Sequence, residues 1–262
     1  MCIAALAWNP GSAEPLLIAA NRDEFRARPA LPLARWDEGD IVGGRDLAAG
    51  GAWLAVRDAQ PGTALRFGFV TNIRAPSVAR GDLRTRGELV PAYLRAETSP
   101  LEHARSLCRD RHRYAGFNLL LGVIAADGAE LVFLNSLEAA PRVLAPGLYC
   151  VSNATLDTPW PKVRRLRQAL AHARAVHDRA EREQRLWRIL ADPTPAADAE
   201  LPSTGLPVKW ERALSSIFIA SKDYGTRAST LLSVARDGRA WISERTWLID
   251  RPPLQTTLVL GG

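Results

Sequence analysis

Residues 1–25, MCIAALAWNPGSAEPLLIAANRDEF, carry the reading of the fold. Cys2 to Trp8 is apolar throughout, Asn9-Pro10-Gly11 breaks the run, and Leu16 to Ala20 resumes it before the polar stretch Asn21-Arg22-Asp23-Glu24-Phe25. Apolar runs of this length, bounded by turn residues, read as two buried strands joined by the connection from Asn9 to Pro15. If Leu16 stands opposite Trp8, antiparallel pairing carries Cys2 opposite Arg22, and a slip of one residue puts Asp23 there instead. Directly opposed Cβ atoms lie about 4.5–5.5 Å apart, so either register brings the chain start within a side chain's reach of the NRDE segment.

Further strands follow at Trp53–Val56, reached through Gly50-Gly51, and at Phe67–Asn72. Thr85-x-x-Glu88 and Ser99-Pro100-x-Glu102 have capping-box spacing and predict helix starts, with Pro100 at a first helical position where its missing N–H does no harm. Asp127-Gly128, between Asn118–Ala125 and Glu130–Asn135, supplies the positive φ angles of a tight hairpin turn, as does Asp237-Gly238 between Ser229–Ala235 and Ala240–Glu244. Thr158-Pro159 opens a helix running toward His177, and a second helix covers about Glu181 to Leu190. Strands, helices, strands, a helical block and strands, in that order, predict an α+β fold of antiparallel sheets with helices outside them, within one domain over residues 1–262. Gly43-Gly44, Gly50-Gly51 and Gly225 read as backbone punctuation, since none opens a helix after a strand with phosphate-loop spacing.

The chain of 262 residues is 47% hydrophobic and 24% charged, enough to bury a substantial core. Its formal charge of +6 and pI near 9.7 come almost entirely from dispersed arginines. The densest basic stretch, Lys162 to Arg188, is interleaved with Val163, Leu166, Leu170 and Ala173 at helical spacing, which predicts an amphipathic helix with a solvated face and no nucleic-acid groove. Such a surface attracts anionic small molecules. No apolar run approaches the roughly 18 residues of a membrane span, and the first ten residues lack a basic leader region, so a cytoplasmic location is expected. Cys2, Cys108 and Cys150 are an odd set without C-x-x-C spacing, which argues against a disulfide framework and a thiolate metal site.

The chemistry concentrates at Cys2. Its small side chain suits removal of Met1, which leaves a thiol and a free α-amine on one residue. With an amine pKa of about 7.7–8.0 and a thiol pKa of about 8.5, the amine can take the thiol's proton near neutrality, and no histidine is required. His103, His112, His172 and His177 all lie in helical, Arg-rich stretches. A neighbouring Arg22 favours thiolate, while Asp23 orients the amine and favours its charged form. The plainer alternative is a small cysteine buried in a strand. Asn72 and Asn153 are candidate donors to a tetrahedral oxyanion, or else strand-end and turn asparagines satisfying local backbone, and Asn21 is equally open as a ligand contact.

The segments MCIAALAW, LIAANRDEF, GGRD, GGAWLAV, GFVTNIR, TRGELV, GFNLLLG, VSNATLDTPWPK and YGTRAST, in this order, resemble the NRDE or transport-and-Golgi-organisation family, over nearly the whole chain from Met1 to about Trp247. Several separated motifs in one order are far more specific than any one tetrapeptide. The resemblance implies an N-terminal-nucleophile hydrolase-like fold, a four-layer αββα sandwich. More distantly the chain is similar to choloylglycine hydrolases and penicillin V acylases, which cleave amides with an N-terminal Cys. On that likeness Cys2 is the nucleophile, Asp23 and Arg22 position it, Asn72 and Asn153 stabilise the oxyanion, and Arg227 contacts substrate. The arginine those enzymes carry shortly before the aspartate falls on Ala20 here, and Arg22 is offered instead. The function implied is an amidohydrolase or acyltransferase with no cofactor. A different class, a small-molecule carrier on the same scaffold, is implied by the family's links with haem trafficking and with acyl-CoA and lipid homeostasis. Haem is then a candidate ligand, although the sequence has no C-x-x-C-H attachment motif.

Overall fold

The computed structural model describes residues 2–58, 64–74 and 83–261. Met1, whose removal the N-terminal-cysteine chemistry requires, lies outside them. In chain order the elements are β1 (Cys2–Trp8), β2 (Leu16–Phe25), β3 (Ala30–Arg35), β4 (Ile41–Asp46), β5 (Leu54–Arg57) and β6 (Leu65–Asn72), then helices α1 (Leu89–Arg95) and α2 (Pro100–Asp110). The hairpin β7 (Phe117–Ala125) and β8 (Gly128–Asn135) precedes β9 (Arg142–Val143) and β10 (Gly147–Val151). Helices α3 (Pro161–Arg174), α4 (Arg179–Leu190) and α5 (Val208–Ala213) lead to β11 (Tyr224–Val234), β12 (Ala240–Thr246) and β13 (Leu254–Leu260).

The strands form two antiparallel sheets, one of six in the order β10-β1-β2-β11-β12-β13 and one of seven running β3 to β9 in sequence order. Alternation along β1 shows how they stack. Cys2, Ala4, Leu6 and Trp8 belong to the core between the sheets, together with Leu54, Phe67 and Phe133 of the second sheet. The other face, Ile3, Ala5 and Ala7, packs with Val163, Leu166, Leu170, Ala173, Leu186 and Leu190 of α3 and α4. Leu89, Val90, Tyr93, Leu94, Ala104 and Cys108 of α1 and α2 cover the outer face of the seven-stranded sheet. The layers therefore run helix, sheet, sheet, helix. With both faces covered, β1 and β2 need apolar residues at every position rather than at alternate ones, which is why both begin as unbroken apolar runs.

The register of the first hairpin is the expected one: Trp8 faces Leu16 and Cys2 faces Arg22. Both Asp-Gly hairpins join the expected strands, but only Gly238 has a positive φ, 87°; in the first hairpin Ala126 and Asp127 make the turn without positive φ and Gly128 already belongs to β8. Ser99 with Glu102 forms a complete capping box at α2. Three further details differ. Thr85 accepts from the Gly87 N–H and begins a single 3-10 turn, Arg86–Glu88, while the Glu88 carboxylate turns away to take the Tyr114 hydroxyl at 2.6 Å. The helix read from Thr158-Pro159 starts at Pro161 and ends at Arg174, with a second helix from Arg179. Lys162, placed by the sequence reading on a solvated face, is 1% exposed, because the start of α3 is tucked against β1 and β10.

Candidate functional site

Cys2 starts β1 with its side chain in the layer between the sheets, and it lines a cavity of about 220 Å³ together with Arg22, Asp23, Asn72, Arg86 and Arg227. Cys2 and Arg22 are neighbours across the hairpin on the inter-sheet face. Arg22 acts to favour thiolate, as expected, but burial outweighs it and pushes the Cys2 thiol up. The Arg22 guanidinium is itself engaged, donating to Asp46 Oδ2 at 2.6 Å, where Arg28 Nε also donates at 2.6 Å. Burial alone would raise Asp46. The Arg28 bond, the Ala49 N–H and the Arg22 charge together hold it below the usual carboxylate range.

Asp23, 1% exposed, follows on the same strand. Its Oδ1 accepts from Thr226 Oγ1 at 2.7 Å, and its carbonyl accepts from the Tyr224 hydroxyl at 3.0 Å. Burial pushes its carboxyl up, against the lowering action of Lys162 and the Thr226 bond. The expected charged Asp23 is thus opposed by its own desolvation and depends on these neighbours.

Arg227 reaches the cavity by a break in strand register. Thr226 pairs with Asp23 and Ala228 with Arg22, so Arg227 is the extra residue of a bulge, which re-aims its side chain. Its Nη1 donates to the carbonyls of Phe25, Arg26 and Arg28, holding the chain where it leaves β2. Asn72, at the end of β6, lines the cavity. Asn153 does not: its Nδ2 donates to the Asn72 carbonyl at 2.9 Å and its Oδ1 accepts from Ser152. Asn21 points the other way, toward the helices. Its Nδ2 donates to the carbonyls of Leu190 and Ile217, and Ser229 Oγ donates to its Oδ1. Of the residues named from sequence, Cys2, Arg22, Asp23, Asn72 and Arg227 meet at one cavity, Asn153 stands behind Asn72, and Asn21 pins α4 to the sheet.

A family model described as Transport and Golgi organisation 2 matches residues 1–248, a span that includes every one of these positions. The chain belongs to the Transport and Golgi organisation 2 family. A bovine protein called Transport and Golgi organization protein 2 homolog is 32% identical over 270 residues, covering 96% of this chain and 95% of its own length. The human protein of the same name is 29% identical, with 95% and 94% covered, and the Drosophila melanogaster Transport and Golgi organization protein 2 is 28% identical, with 88% and 86% covered.

In this family member Glu244 and Arg86 also lie at the site, and Lys162 acts on it from behind Asp23. Lys162 Nζ is buried without a hydrogen-bond partner, and burial lowers it to about 8, with Asp23 acting to raise it. Glu244, from β12, is 3% exposed at the cavity wall and is pushed up by burial. It accepts from the Leu33 N–H at 2.9 Å and so ties the two sheets together. Arg86 stands on the 3-10 turn, and that turn is set by glycine: a Cβ on Gly51 would lie 2.0 Å from the Gly87 carbonyl oxygen. The flexible-looking pair Gly50-Gly51 was the available signal, but it does not say what approaches. Among the described residues, no group of three or more His, Cys, Asp and Glu side chains is placed to hold a metal, and no helix is long and apolar enough to cross a membrane.

Proposed function

We propose that the protein is an N-terminal-cysteine amidohydrolase or acyltransferase acting on a small amide or acyl compound. The observation that supports this best is the position of Cys2: first residue of a buried strand, thiol at a cavity wall, with Arg22, Asp23 and Asn72 around it. A thiol pushed up by burial is neutral near pH 7 and needs a base. With Met1 removed, the α-amine of Cys2 supplies one. The amine takes the thiol proton as sulfur bonds to the substrate carbonyl carbon. The tetrahedral oxyanion accepts from the Asn72 amide, whose backbone Asn153 fixes. The C–N bond then breaks, the leaving amine takes the proton, and water or a second amine releases the acyl group from sulfur. Asp23 orients the α-amine. The cavity, about 220 Å³, is smaller than the roughly 300–1,000 Å³ of pockets for drug-sized ligands, so only a compact reacting end enters.

Incubation with a panel of acyl 4-nitroanilides, followed by intact mass, tests this reading: turnover and an acyl adduct on Cys2 are expected, and both vanish in Cys2→Ala. Turnover that survives Cys2→Ala, or a native protein that keeps Met1, refutes it. The alternative, a carrier for haem or an acyl-CoA or lipid, is favoured by the burial that keeps the Cys2 thiol neutral and so a poor nucleophile, with haem ligation through sulfur requiring its deprotonation to thiolate. No histidine lines the cavity, which leaves Cys2 as the haem ligand there. A haemin Soret shift abolished by Cys2→Ala, without turnover, selects that alternative.

A further inference from the structure

Six arginines line the cavity: Arg22, Arg28, Arg45, Arg84, Arg86 and Arg227. Four are paired with carboxylates. Arg22 and Arg28 share Asp46, Arg45 pairs with Glu38, and Arg84 pairs with Glu88. Arg227 has no carboxylate but gives its Nη1 to three carbonyls. Arg86 is the exception. Among the described residues its side chain makes one hydrogen bond, Nη1 to the Gly116 carbonyl at 3.1 Å, and no ion pair. That leaves most of its five donors unused while burial desolvates the charge. Arg86 lines the same cavity as Cys2 and Glu24, and an ionised Cys2 or Glu24 favours its charge. Its backbone is held by the Ala52 N–H bonding to the Gly87 carbonyl and by the Gly51–Gly87 contact, so the guanidinium projects from a fixed turn.

We propose that Arg86 is the binding residue for an anionic group on the substrate, so that the compound taken by this cavity carries a carboxylate or phosphate close to its reacting carbonyl. This rests on the reading of Cys2 as the site's reactive group. A planar fork with free donors recognises either oxyanion in two-point fashion, and a half-buried cation with no carboxylate bound to it gains most from meeting one. The paired arginines already face Asp46, Glu38 or Glu88, so an incoming anion gains less from their charge.

The test compares alkylation of Cys2 by iodoacetate and by neutral iodoacetamide. Dividing one rate by the other cancels any effect on the thiolate fraction. In Arg86→Gln the ratio is expected to fall at least fivefold, with Arg86→Lys, which keeps the charge but not the fork, in between. A ratio within twofold of wild type overturns the proposal, including the case in which both rates fall together, since Arg86 then acts on the thiol alone. Calorimetric titration with N-acetylglycine and with inorganic phosphate separates the two anions, and each binding signal is expected to weaken at least fivefold in Arg86→Gln. Cys2→Ala should keep that binding while losing turnover, so a failure of the catalytic reading shows up separately. If neither probe binds wild type more tightly than Arg86→Gln, the proposal fails.

Discussion

Lys162→Met should remove a specific pH dependence of stability. The amine is 1% exposed, has no hydrogen-bond partner, and has its pKa lowered by burial from 10.5 to about 8. A cation whose folded pKa is depressed loses its proton in the folded protein before the unfolded chain does. Between about pH 8 and 10.5 the unfolded state therefore binds more protons, and stability rises with pH. At about 1.36 kcal/mol per unit, the full shift amounts to about 3 kcal/mol, of which about 2 kcal/mol is gained between pH 7.5 and 9.5. Methionine has no proton to lose. Any further rise of Asp23 in the variant lowers its stability with increasing pH, which adds to the same difference. Urea unfolding of both proteins at several pH values across this range gives the measurement, since subtracting the variant cancels the tyrosines and the other two lysines, Lys209 and Lys222. The gap should widen by about 2 kcal/mol in favour of wild type. A gap constant to within about 0.5 kcal/mol would refute the assignment of Lys162 as a buried, strained cation.

Asp23→Asn keeps the size and the Thr226 contact but removes the charge, so the melting temperature should stay within a few degrees while Cys2 alkylation slows. Unchanged alkylation would take Asp23 out of the site. Asn21→Ala strips the Leu190 and Ile217 carbonyls and the Ser229 hydroxyl of a buried partner, at a cost of about 2–4 kcal/mol by chemical denaturation, with the Cys2 alkylation rate within twofold of wild type. A slowed Cys2 with little loss of stability would move Asn21 back to the ligand. Glu211→Ala leaves Arg74 buried without its 2.5 Å partner and should destabilise by about 3–5 kcal/mol, whereas a loss below about 1 kcal/mol would mean that water reaches Arg74. Limited iodoacetamide labelling with peptide mapping should modify Cys2 before Cys108 or Cys150, because all three thiols are buried but only Cys2 lines the cavity. The reverse order would deny Cys2 its access.

The sequence by itself determined whatever depends on near neighbours along the chain. The apolar runs and their breaks set β1 and β2, the length of the connection set their register, and with it the pairing of Cys2 with Arg22. The Ser99–Glu102 box and the Asp237-Gly238 turn are local chemistry and appear as read, whereas at Asp127-Gly128 the hairpin forms with its turn one residue earlier and without positive φ. Edge strands such as β3, β9 and β13 were not legible, because a strand with one exposed side has a weak and interrupted apolar pattern. Faces were legible only in part. Asn21, Arg22 and Asp23 are consecutive, yet Asn21 serves the helices, Arg22 faces the second sheet, and Asp23 is tied to Thr226. Tertiary structure alone decided the rest. It buried Lys162 beneath a helix start that looks solvated in sequence, moved Arg227 through a bulge, and set Asn153 to brace Asn72. It also left Arg86 without the carboxylate that Arg22, Arg28, Arg45 and Arg84 have. Each of these depends on where segments far apart in sequence come to rest, since burial and charge pairing are properties of packed surroundings and not of the residue that experiences them.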